Sequence, residues 1–289
     1  MSFIVAAIVN EPRSVIERFV TWYLSQGAEG IVLYFDNPDD PLIAELQVHS
    51  QITIIPCTDN FWRSIDTKPS ARFTKRQNAA LNHAYRNLAA EWLLNVDADE
   101  LVYFADYTIA ERLAKIPSEI TSILVVPTEH VLSDRDGTWF RVPMPRQDLN
   151  QIYGEDADLF RLRRGLVGHA DGKSFHRRGQ TGIRLRQHWA ENAAGEVTPA
   201  LRLDASDQAY LLHFVAPDYD IWRAKMDWRL SSHGFSGPMK ERIFALRGEI
   251  GDESFYPDLY RCMHHLSAER HDALLSSGYL LQIDLDLGA

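Results

Sequence analysis

The sequence predicts an α/β fold with a mostly parallel central sheet, flanked by helices and followed by a helical C-terminal part. Three observations lead to this prediction. Short, unbroken apolar runs alternate with segments of helical periodicity over residues 1–130, and this alternation is typical of parallel sheets covered by helices. The runs are rich in Val and Ile, which favours strands buried on both faces. Beyond residue 217 only helical periodicity remains.

The first three elements are predicted to form a β-α-β unit. The apolar run Phe3–Val9 is too short for a helix of its own and predicts a strand. Apolar residues then recur at helical intervals after Ser14, whose spacing to Glu17 is that of a capping box, until Gly27 ends the pattern. The run Gly30–Phe35 predicts a second strand. Two strands joined through a helix run parallel, so a parallel pair is expected here.

The same alternation continues along the chain. In order, the pattern predicts a helix at Pro41–His49, a strand at Ile52–Pro56, a helix at Thr74–Ala90, a strand at Glu91–Val96, a helix around Tyr107–Ala114 and a strand at Ser122–Pro127. Irregular loops then lead to a last strand and four helices: Ala209–Val215, Tyr219–Ser232, Pro238–Leu246, Pro257–Leu266 and Ala268–Ser276. We therefore expect one domain over residues 1–217, with residues 218–289 as a helical extension packed on it.

Composition excludes several classes of protein. The chain has 289 residues, of which 45% are hydrophobic and 24% are charged, so it can bury a sizeable core and is not a disordered chain. Its net charge of −10 disfavours nucleic acid as a partner, because neutralising phosphates requires many Lys and Arg residues. Its two cysteines, Cys57 and Cys262, predict neither a disulfide framework nor a metal-binding pair.

No segment has the sequence of a leader or of a membrane span. The run Phe3–Val9 has no basic segment before it and no small-residue cleavage site after it. No stretch approaches the roughly 20 apolar residues that cross a bilayer. A cytoplasmic location is therefore expected, and any membrane contact is expected to be peripheral.

Three acidic residues, Asp97, Asp99 and Glu100, follow the predicted strand Glu91–Val96. In open parallel sheets, ligands bind beyond the carboxyl ends of the strands. Side chains two residues apart on an extended chain point the same way, so Asp97 and Asp99 can converge on one hard cation. Mg²⁺ or Mn²⁺ held by such carboxylates commonly positions a nucleoside diphosphate. An acidic turn that leads into the next element is the alternative interpretation.

Other polar residues follow the neighbouring strands at the same predicted edge. Asn10 and Glu11 end the first strand and Asp36 ends the second, where they can hydrogen-bond a nucleoside or simply shape turns. Arg76 lies in the first turn of a helix, where a bound anion would offset its unfavourable interaction with the helix dipole; a solvated first turn is the alternative. His213 ends the last predicted strand, and such a histidine is more often a core residue than a ligand.

Together these motifs resemble those of glycosyltransferases with the GT-A fold, and more narrowly the family-2-like group that includes family-92-type enzymes. The matching stretches within the first 100 residues are Asn10–Pro12, Ile16–Tyr23, Val32–Asp36, Arg76–Ala79 and Trp92–Glu100. Later stretches that resemble the same group are Gly172–Phe175, His188, His213 with Phe214, and Lys225. Phe214 stands where this group usually has tyrosine. The C-terminal helices match no motif of the group.

The resemblance implies an enzyme that transfers a sugar from a nucleotide-diphosphate donor, often UDP-linked, to an acceptor hydroxyl with inversion. The acceptor would be a glycan, a lipid-linked sugar or a small molecule. Mn²⁺ or Mg²⁺ would bridge the donor diphosphate to Asp97 and Asp99, with His213 as a further ligand of the metal or the diphosphate. The residues implied to contact the donor are Asn10, Glu11, Asp36, Arg76, Asp97 and Lys173.

An inverting transferase needs one carboxylate to take the proton from the acceptor hydroxyl. The stretch Gly154–Arg161 resembles the Glu-Asp motif of family-2 enzymes, and this resemblance implies that Asp156 is the base. Asp158 and Glu129 are the alternatives, since the motif lies closer to Asp97 than is usual in that family. A capped helix start with acids in its first turn is the alternative interpretation of this stretch.

The segment Arg161–Arg186 is strongly basic. It carries eight Lys and Arg residues against the single acid Asp171, a net charge of +7, so the remaining residues sum to −17. One interpretation is a solvated hairpin whose cations pair with acids elsewhere. The other is an anion site, in which Lys173 contacts the donor diphosphate and the arginines face an anionic acceptor or a membrane surface.

Three other classes of protein remain open at this point. Phosphatases or phosphotransferases of the haloacid-dehalogenase type also place Asp-x-Asp at a strand end, but Leu101 stands where they normally have Thr or Val. Nucleotidyltransferases share the nucleotide-binding layout, but no Gly-rich loop follows Phe3–Val9. A non-catalytic sugar- or nucleotide-binding relative is the third alternative.

Overall fold

The structure is a computed structural model, and it describes residues 1–231, 235, 237–250 and 254–285. The predicted helix end at Ser232 lies outside these residues. The chain divides into two compact units. The first contains residues 1–126 and 171–211, and the second contains residues 127–170 and the described residues from 212 onward. The prediction that residues 218–289 form an extension of a single domain is not tested by this division and stays a prediction.

Both units contain strands and helices. The strands are β1 (Phe3–Val9), β2 (Gly30–Phe35), β3 (Ile52–Pro56), β4 (Trp92–Asn95), β5 (Glu100–Phe104), β6 (Ser122–Val125), β7 (Pro127–Ser133), β8 (Trp139–Arg141), β9 (Lys173–Arg177), β10 (Arg184–Leu185), β11 (Ala190–Glu191), β12 (Leu201–Leu203), β13 (Ala209–His213), β14 (His265–Leu266) and β15 (Leu280–Gln282). The helices are α1 (Arg13–Ser25), α2 (Leu42–Leu46), α3 (Asp59–Ser64), α4 (Phe73–Arg86), α5 (Ile109–Ala114), α6 (Arg146–Tyr153), α7 (Tyr219–Ser231), α8 (Gly237–Ile250), α9 (Phe255–His264) and α10 (Ala268–Ser276).

The described part of the first unit is built on a seven-stranded sheet in the order β12-β6-β9-β4-β1-β2-β3. β1 pairs in parallel with β2 and with β4, and β2 pairs in parallel with β3. β9 runs antiparallel to both of its neighbours, β4 and β6. α1 packs against β2, and α4 packs against β1 and β4. The predicted α/β class, with a mostly parallel sheet flanked by helices, is confirmed.

The start of α1 differs from the prediction. The helix begins at Arg13, directly after Pro12, and no side chain caps its first turn. Ser14 therefore lies inside the helix instead of at its N-cap, so the predicted capping box with Glu17 is wrong. Proline is well suited to the position just before a helix, because its fixed φ leads the chain into the first turn without a capping side chain.

Five strands of the first unit, β5 and β9–β12, are missing from the sequence-based prediction. β5 starts immediately after Asp99, where a turn was expected to lead toward a helix. β9 lies inside the basic segment, and four of its five residues are buried even though the strand reads Lys-Ser-Phe-His-Arg. Pairing with β4 and β6 therefore overrides the local composition, which is that of a solvated segment.

Four of the eight cations of the basic segment pair with described acids of their own unit. In the first unit the pairs are Lys173 with Asp97, Arg177 with Glu91, and Arg186 with Glu191; in the second unit Arg161 pairs with Asp158. These contacts favour the interpretation that the cations pair with acids from other parts of the sequence. The predicted solvated hairpin is wrong for residues 173–177, which form an interior strand.

Gly172, which precedes β9, holds a conformation that other residues adopt only with strain. Its φ is +84°, and a Cβ atom built on it would lie 2.2 Å from the backbone oxygen of Val125. Gly179 has a similar φ of +89°, but a Cβ atom there would meet no atom within 4 Å. Substituting each glycine in turn therefore distinguishes the free-energy cost of the left-handed backbone from that of a steric clash.

We expect Gly179→Ala to lower the free energy of unfolding by about 1–2 kcal/mol through backbone strain alone. Gly172→Ala should cost a further ~1–3 kcal/mol, because the added methyl group forces the β6–β9 pair apart. Urea unfolding of both variants measures the difference. Equal losses for the two variants would show that the contact with Val125 is unimportant.

The second unit has its own strands and its own core. β8 pairs antiparallel with β7 and with β15, and β14 pairs in parallel with β7. Its apolar core joins α6 to the C-terminal helices, through residues that include Leu149, Tyr153, Trp222, Met226, Leu259 and Met263. β13 begins in the first unit and ends in the second. Among the described helices, none combines the length and the apolar composition needed to cross a membrane.

Candidate active site

The carboxyl ends of three adjacent strands of the first unit meet at one edge of its sheet. β1 lies between β4 and β2, and the register pairs Ala6 with Asn95 and Val9 with Phe35. Asn10, Asp36 and Asp97 follow these three strands directly or within two residues. The structure thus brings together the side chains that the sequence places at this edge, because parallel strands end on the same side.

Asp97 is the most exposed member of a charged network that also contains Lys173 and Glu100. Its Oδ2 lies 2.8 Å from Nζ of Lys173, and its Oδ1 accepts a hydrogen bond of 3.1 Å from Nε2 of Gln77. The Lys173 ammonium also lies 3.3 Å from Oε2 of Glu100, which accepts a hydrogen bond of 2.8 Å from the backbone N–H of Asp97. The Asp97 side chain is 36% exposed, whereas those of Lys173 and Glu100 are 1% and 0% exposed.

The charge on Lys173 is maintained by its two carboxylate partners. Burial alone lowers the pKa of this ammonium, but Asp97 and Glu100 together raise it well above its usual value. Lys173 therefore stays protonated at neutral pH. Its predicted contact with the donor diphosphate stays a prediction, and in this structure the ammonium lies on the two carboxylates.

Asp99 lies beside a second cation. Burial lowers the pKa of Arg18, a residue of α1, and the negative charge of Asp99 partly offsets that effect. Asp99 itself is partly exposed. The acidic segment Asp97–Glu100 thus lies near two cations, Lys173 and Arg18.

The donor atoms at this edge fit a hard divalent cation. Asp97 and Asp99 offer carboxylate oxygens, the ligands that Mg²⁺ and Mn²⁺ prefer, and both side chains are partly exposed. Glu100 is fully buried, and its carboxylate lies 3.3 Å from Nζ of Lys173. The other predicted ligand, His213, belongs to the second unit, where it is buried and its ring centroid lies 5.5 Å from that of His169.

Asp36 and Arg76 form a bidentate ion pair at the end of β2. Nη1 of Arg76 donates to Oδ1 of Asp36, and Nη2 lies 3.2 Å from Oδ2. The guanidinium also lies 5.5 Å from the ring centroids of Trp62 and Phe73. Arg76 was expected to reach a diphosphate, but here it fixes Asp36. Its role as a phosphate ligand therefore stays a prediction.

A small cleft opens between β1 and α4 at the same edge. Its polar lining comes from Gln77, Asn95, Asp97 and Gln187, and its floor includes Ala6 and Ala7. Nε2 of Gln187 donates to Oε1 of Gln77, and Nδ2 of Asn95 donates to the backbone oxygen of Gln187 over 2.9 Å. A chain of amides thus runs from the loop at Gln187 to Asp97.

Two further hydrogen bonds, both through His188, hold the loop that carries Gln187. Nδ1 of His188 lies 2.7 Å from the backbone oxygen of Gly172, and Oγ of Ser174 donates over 2.7 Å to the backbone oxygen of His188. Sequence reasoning missed Gln77 and Gln187. For Gln77 a signal existed, because it lies on the same face of α4 as the buried residues Ala80, Leu81 and Ala84.

The three candidate bases all lie beside arginines of the second unit. Asp156 lies 3.2 Å from Nη2 of Arg270 and 3.8 Å from Nη2 of Arg242. Asp158 lies 2.6 Å from Nη2 of Arg161. None of these contacts decides which carboxylate serves as the base.

Glu129 is the most strongly held of the three. It is fully buried, lies 3.0 Å from Nη2 of Arg141 and accepts hydrogen bonds from the backbone N–H groups of Val167 (2.7 Å) and Gly168. Burial raises the pKa of Glu129, but Arg141, His213 and the two N–H groups more than offset this and lower it overall. Its carboxylate is thus ionised and fully engaged.

The chain was also compared with known proteins. No protein-family profile and no curated protein sequence matches it. One similar solved structure is the mannosyltransferase PcManGT from Pyrobaculum calidifontis in complex with GDP-Man and Mn²⁺, at 12% identity over 96% of this chain and 74% of that chain, with a TM-score of 0.40. Another is HddC from Yersinia pseudotuberculosis, at 10% identity over 47% of this chain, with a TM-score of 0.30. The match covers 66% of HddC, just under two thirds of its length. At these values neither likeness bears on the function of this chain.

Proposed function

We propose that this protein is a metal-dependent glycosyltransferase that moves a sugar from a nucleotide-diphosphate donor to an acceptor hydroxyl. The observation that carries the proposal is the set of polar groups at the carboxyl ends of β4, β1 and β2. Asp97 and Asp99 offer oxygen ligands at the end of β4, and Asn10 and Asp36 offer hydrogen-bonding groups beside them. The resemblance of these same stretches to GT-A glycosyltransferases, and a sheet in which only β9 runs antiparallel, support the proposal.

Each part of the edge has a chemical task in this proposal. A divalent cation bound by Asp97 and Asp99 would disperse the negative charge that grows on the leaving nucleoside diphosphate. Asp36, held in place by Arg76, would accept a hydrogen bond from the nucleoside. Because Asp36 is fixed before the donor binds, less conformational entropy is lost on binding.

The details of the reaction are proposed on narrower grounds. UDP as the nucleotide, inversion at the anomeric carbon and His213 as a further ligand come from the resemblance to the family-2-like group. Asp156 stays the proposed base: its side chain is 26% exposed, so it can reach an acceptor, whereas Glu129 is buried and engaged. The narrower likeness to family-92-type enzymes, and an acceptor that is a glycan, a lipid-linked sugar or a small molecule, are also part of this proposal.

An assay of product release tests the proposed reaction. The protein is incubated with UDP-, GDP- and dTDP-linked sugars, with Mn²⁺ or with a chelator, and the released phosphorus compounds are identified. We expect slow release of one nucleoside diphosphate, UDP in the first instance, only in the presence of metal. Release of a sugar 1-phosphate would indicate that the phosphoanhydride bond is broken, as by a nucleotidyltransferase or a phosphohydrolase, and sugar binding without turnover would indicate a non-catalytic module; each would contradict the proposal.

A further inference from the structure

Lys173 is unusual among the predicted site residues because it is shielded from solvent. It is the first residue of β9, an interior strand, and its side chain is 1% exposed. Its ammonium lies between Oδ2 of Asp97 (2.8 Å) and Oε2 of Glu100 (3.3 Å). A donor diphosphate could meet this ammonium only if the side chain became more exposed than it is here.

Glu100 depends on Lys173 more than Asp97 does. The Glu100 carboxylate is fully buried, and an ionised carboxylate without a counter-charge is strongly disfavoured in a protein interior. Asp97, at 36% exposure, is still solvated in part. Moving the ammonium toward a ligand would therefore take a counter-charge away from a fully buried carboxylate.

The same ammonium affects a cation that approaches Asp97. Oδ2 of Asp97 already lies against Nζ of Lys173, and Oδ1 already accepts a hydrogen bond from Gln77. Two like charges near one carboxylate repel each other, most strongly where water is excluded.

We infer that Lys173 is an internal counter-cation that positions Asp97 and Glu100 and weakens the binding of divalent metal at Asp97, and that it does not bind the donor. It is a positioning residue in this account, and the inference rests on the proposed function. It replaces the expectation that Lys173 contacts the diphosphate.

Binding measurements on two variants test the inference. Lys173→Met removes the charge and keeps the length of the side chain, but it also removes a counter-charge from the buried carboxylate of Glu100 and is expected to lower the stability of the fold. The double variant Lys173→Met/Glu100→Gln restores the net charge of the wild-type cluster and leaves Asp97 without the ammonium. Mn²⁺ is titrated into each protein by calorimetry without nucleotide, and UDP is then titrated at saturating Mn²⁺.

We expect the double variant to bind Mn²⁺ about tenfold more tightly than the wild type, a difference of about 1.4 kcal/mol. A merely structural defect would not raise metal affinity. Its UDP affinity at saturating Mn²⁺ should change less than threefold. Lys115→Met, which removes an exposed lysine of the same unit, serves as the matched control and should change neither value.

The possible outcomes separate this inference from the proposed function. A tenfold or greater loss of UDP affinity in the double variant, with unchanged Mn²⁺ affinity, would make Lys173 a donor ligand and overturn the inference. If the wild type binds Mn²⁺ and the double variant binds it no more tightly, the inference about Lys173 is overturned while the proposed function stands. If neither protein binds Mn²⁺ or UDP, the proposed function fails and the inference fails with it.

Discussion

Asp99→Asn is expected to reduce metal-dependent release of nucleoside diphosphate by at least about 100-fold, the low end of what a metal ion contributes to such reactions. The substitution keeps the size of the side chain and removes the charge that attracts the cation. Asp99 is partly exposed, so the fold should tolerate the change. Steady-state kinetics at varied Mn²⁺ concentration measures the effect. We expect that raising the donor or the Mn²⁺ concentration does not restore most of the lost activity.

Asp106→Asn is the matched control for this experiment. It removes a carboxylate that is exposed in the turn after β5 and that the proposed reaction does not use. Its activity should equal that of the wild type within a factor of two or so, as for most surface substitutions. Full activity of the Asp99→Asn variant would show that this carboxylate is only part of an acidic turn. If the wild type binds a sugar but shows no turnover, a non-catalytic module is favoured instead.

Glu129→Leu is expected to lower the free energy of unfolding by about 3–5 kcal/mol. The substitution removes the carboxylate and leaves the guanidinium of Arg141 buried with a single remaining hydrogen bond, to the hydroxyl of Tyr153 (2.9 Å). The backbone N–H groups of Val167 and Gly168 also lose their acceptor. Denaturant unfolding followed by circular dichroism measures the loss.

The double variant Glu129→Leu/Arg141→Met completes the test of this buried pair. Removing both charges together leaves no uncompensated ion, so the double variant should be more stable than Glu129→Leu alone. A double variant whose loss equals the sum of the two single losses would show that the two charges are not coupled. A loss below about 1 kcal/mol for Glu129→Leu would contradict the picture of a buried carboxylate held by Arg141.

The layout of the candidate site was predictable from the sequence because it follows from short-range patterns. Three apolar runs identify β1, β2 and β4, and the polar residues after each run must then meet at one edge of a parallel sheet. The positions of Asn10, Asp36 and Asp97 needed no other information. The C-terminal helices were likewise visible from their periodicity. The short strands β14 and β15 were missed, and the helix predicted to reach Leu266 ends at His264.

The contacts that hold the site in place could not be predicted in this way. Lys173 and Asp97 are 76 residues apart, and Gln187 and Gln77 are 110 residues apart, so no local pattern joins them. β9 has the composition of a solvated segment and becomes an interior strand only through its two neighbours. For this reason Lys173 was expected beside the donor diphosphate and was found beside Asp97 and Glu100.

The measurement that tests the central proposal most directly is a thermal-shift panel of nucleoside diphosphates with and without Mn²⁺. If Asp97 and Asp99 hold a cation that binds the diphosphate, a nucleoside diphosphate raises the melting temperature only when metal is present, and UDP should give the largest increase. The Asp99→Asn variant should lose that increase. No shift with any nucleotide, with or without Mn²⁺, would contradict the assignment of this edge as a nucleotide-sugar site.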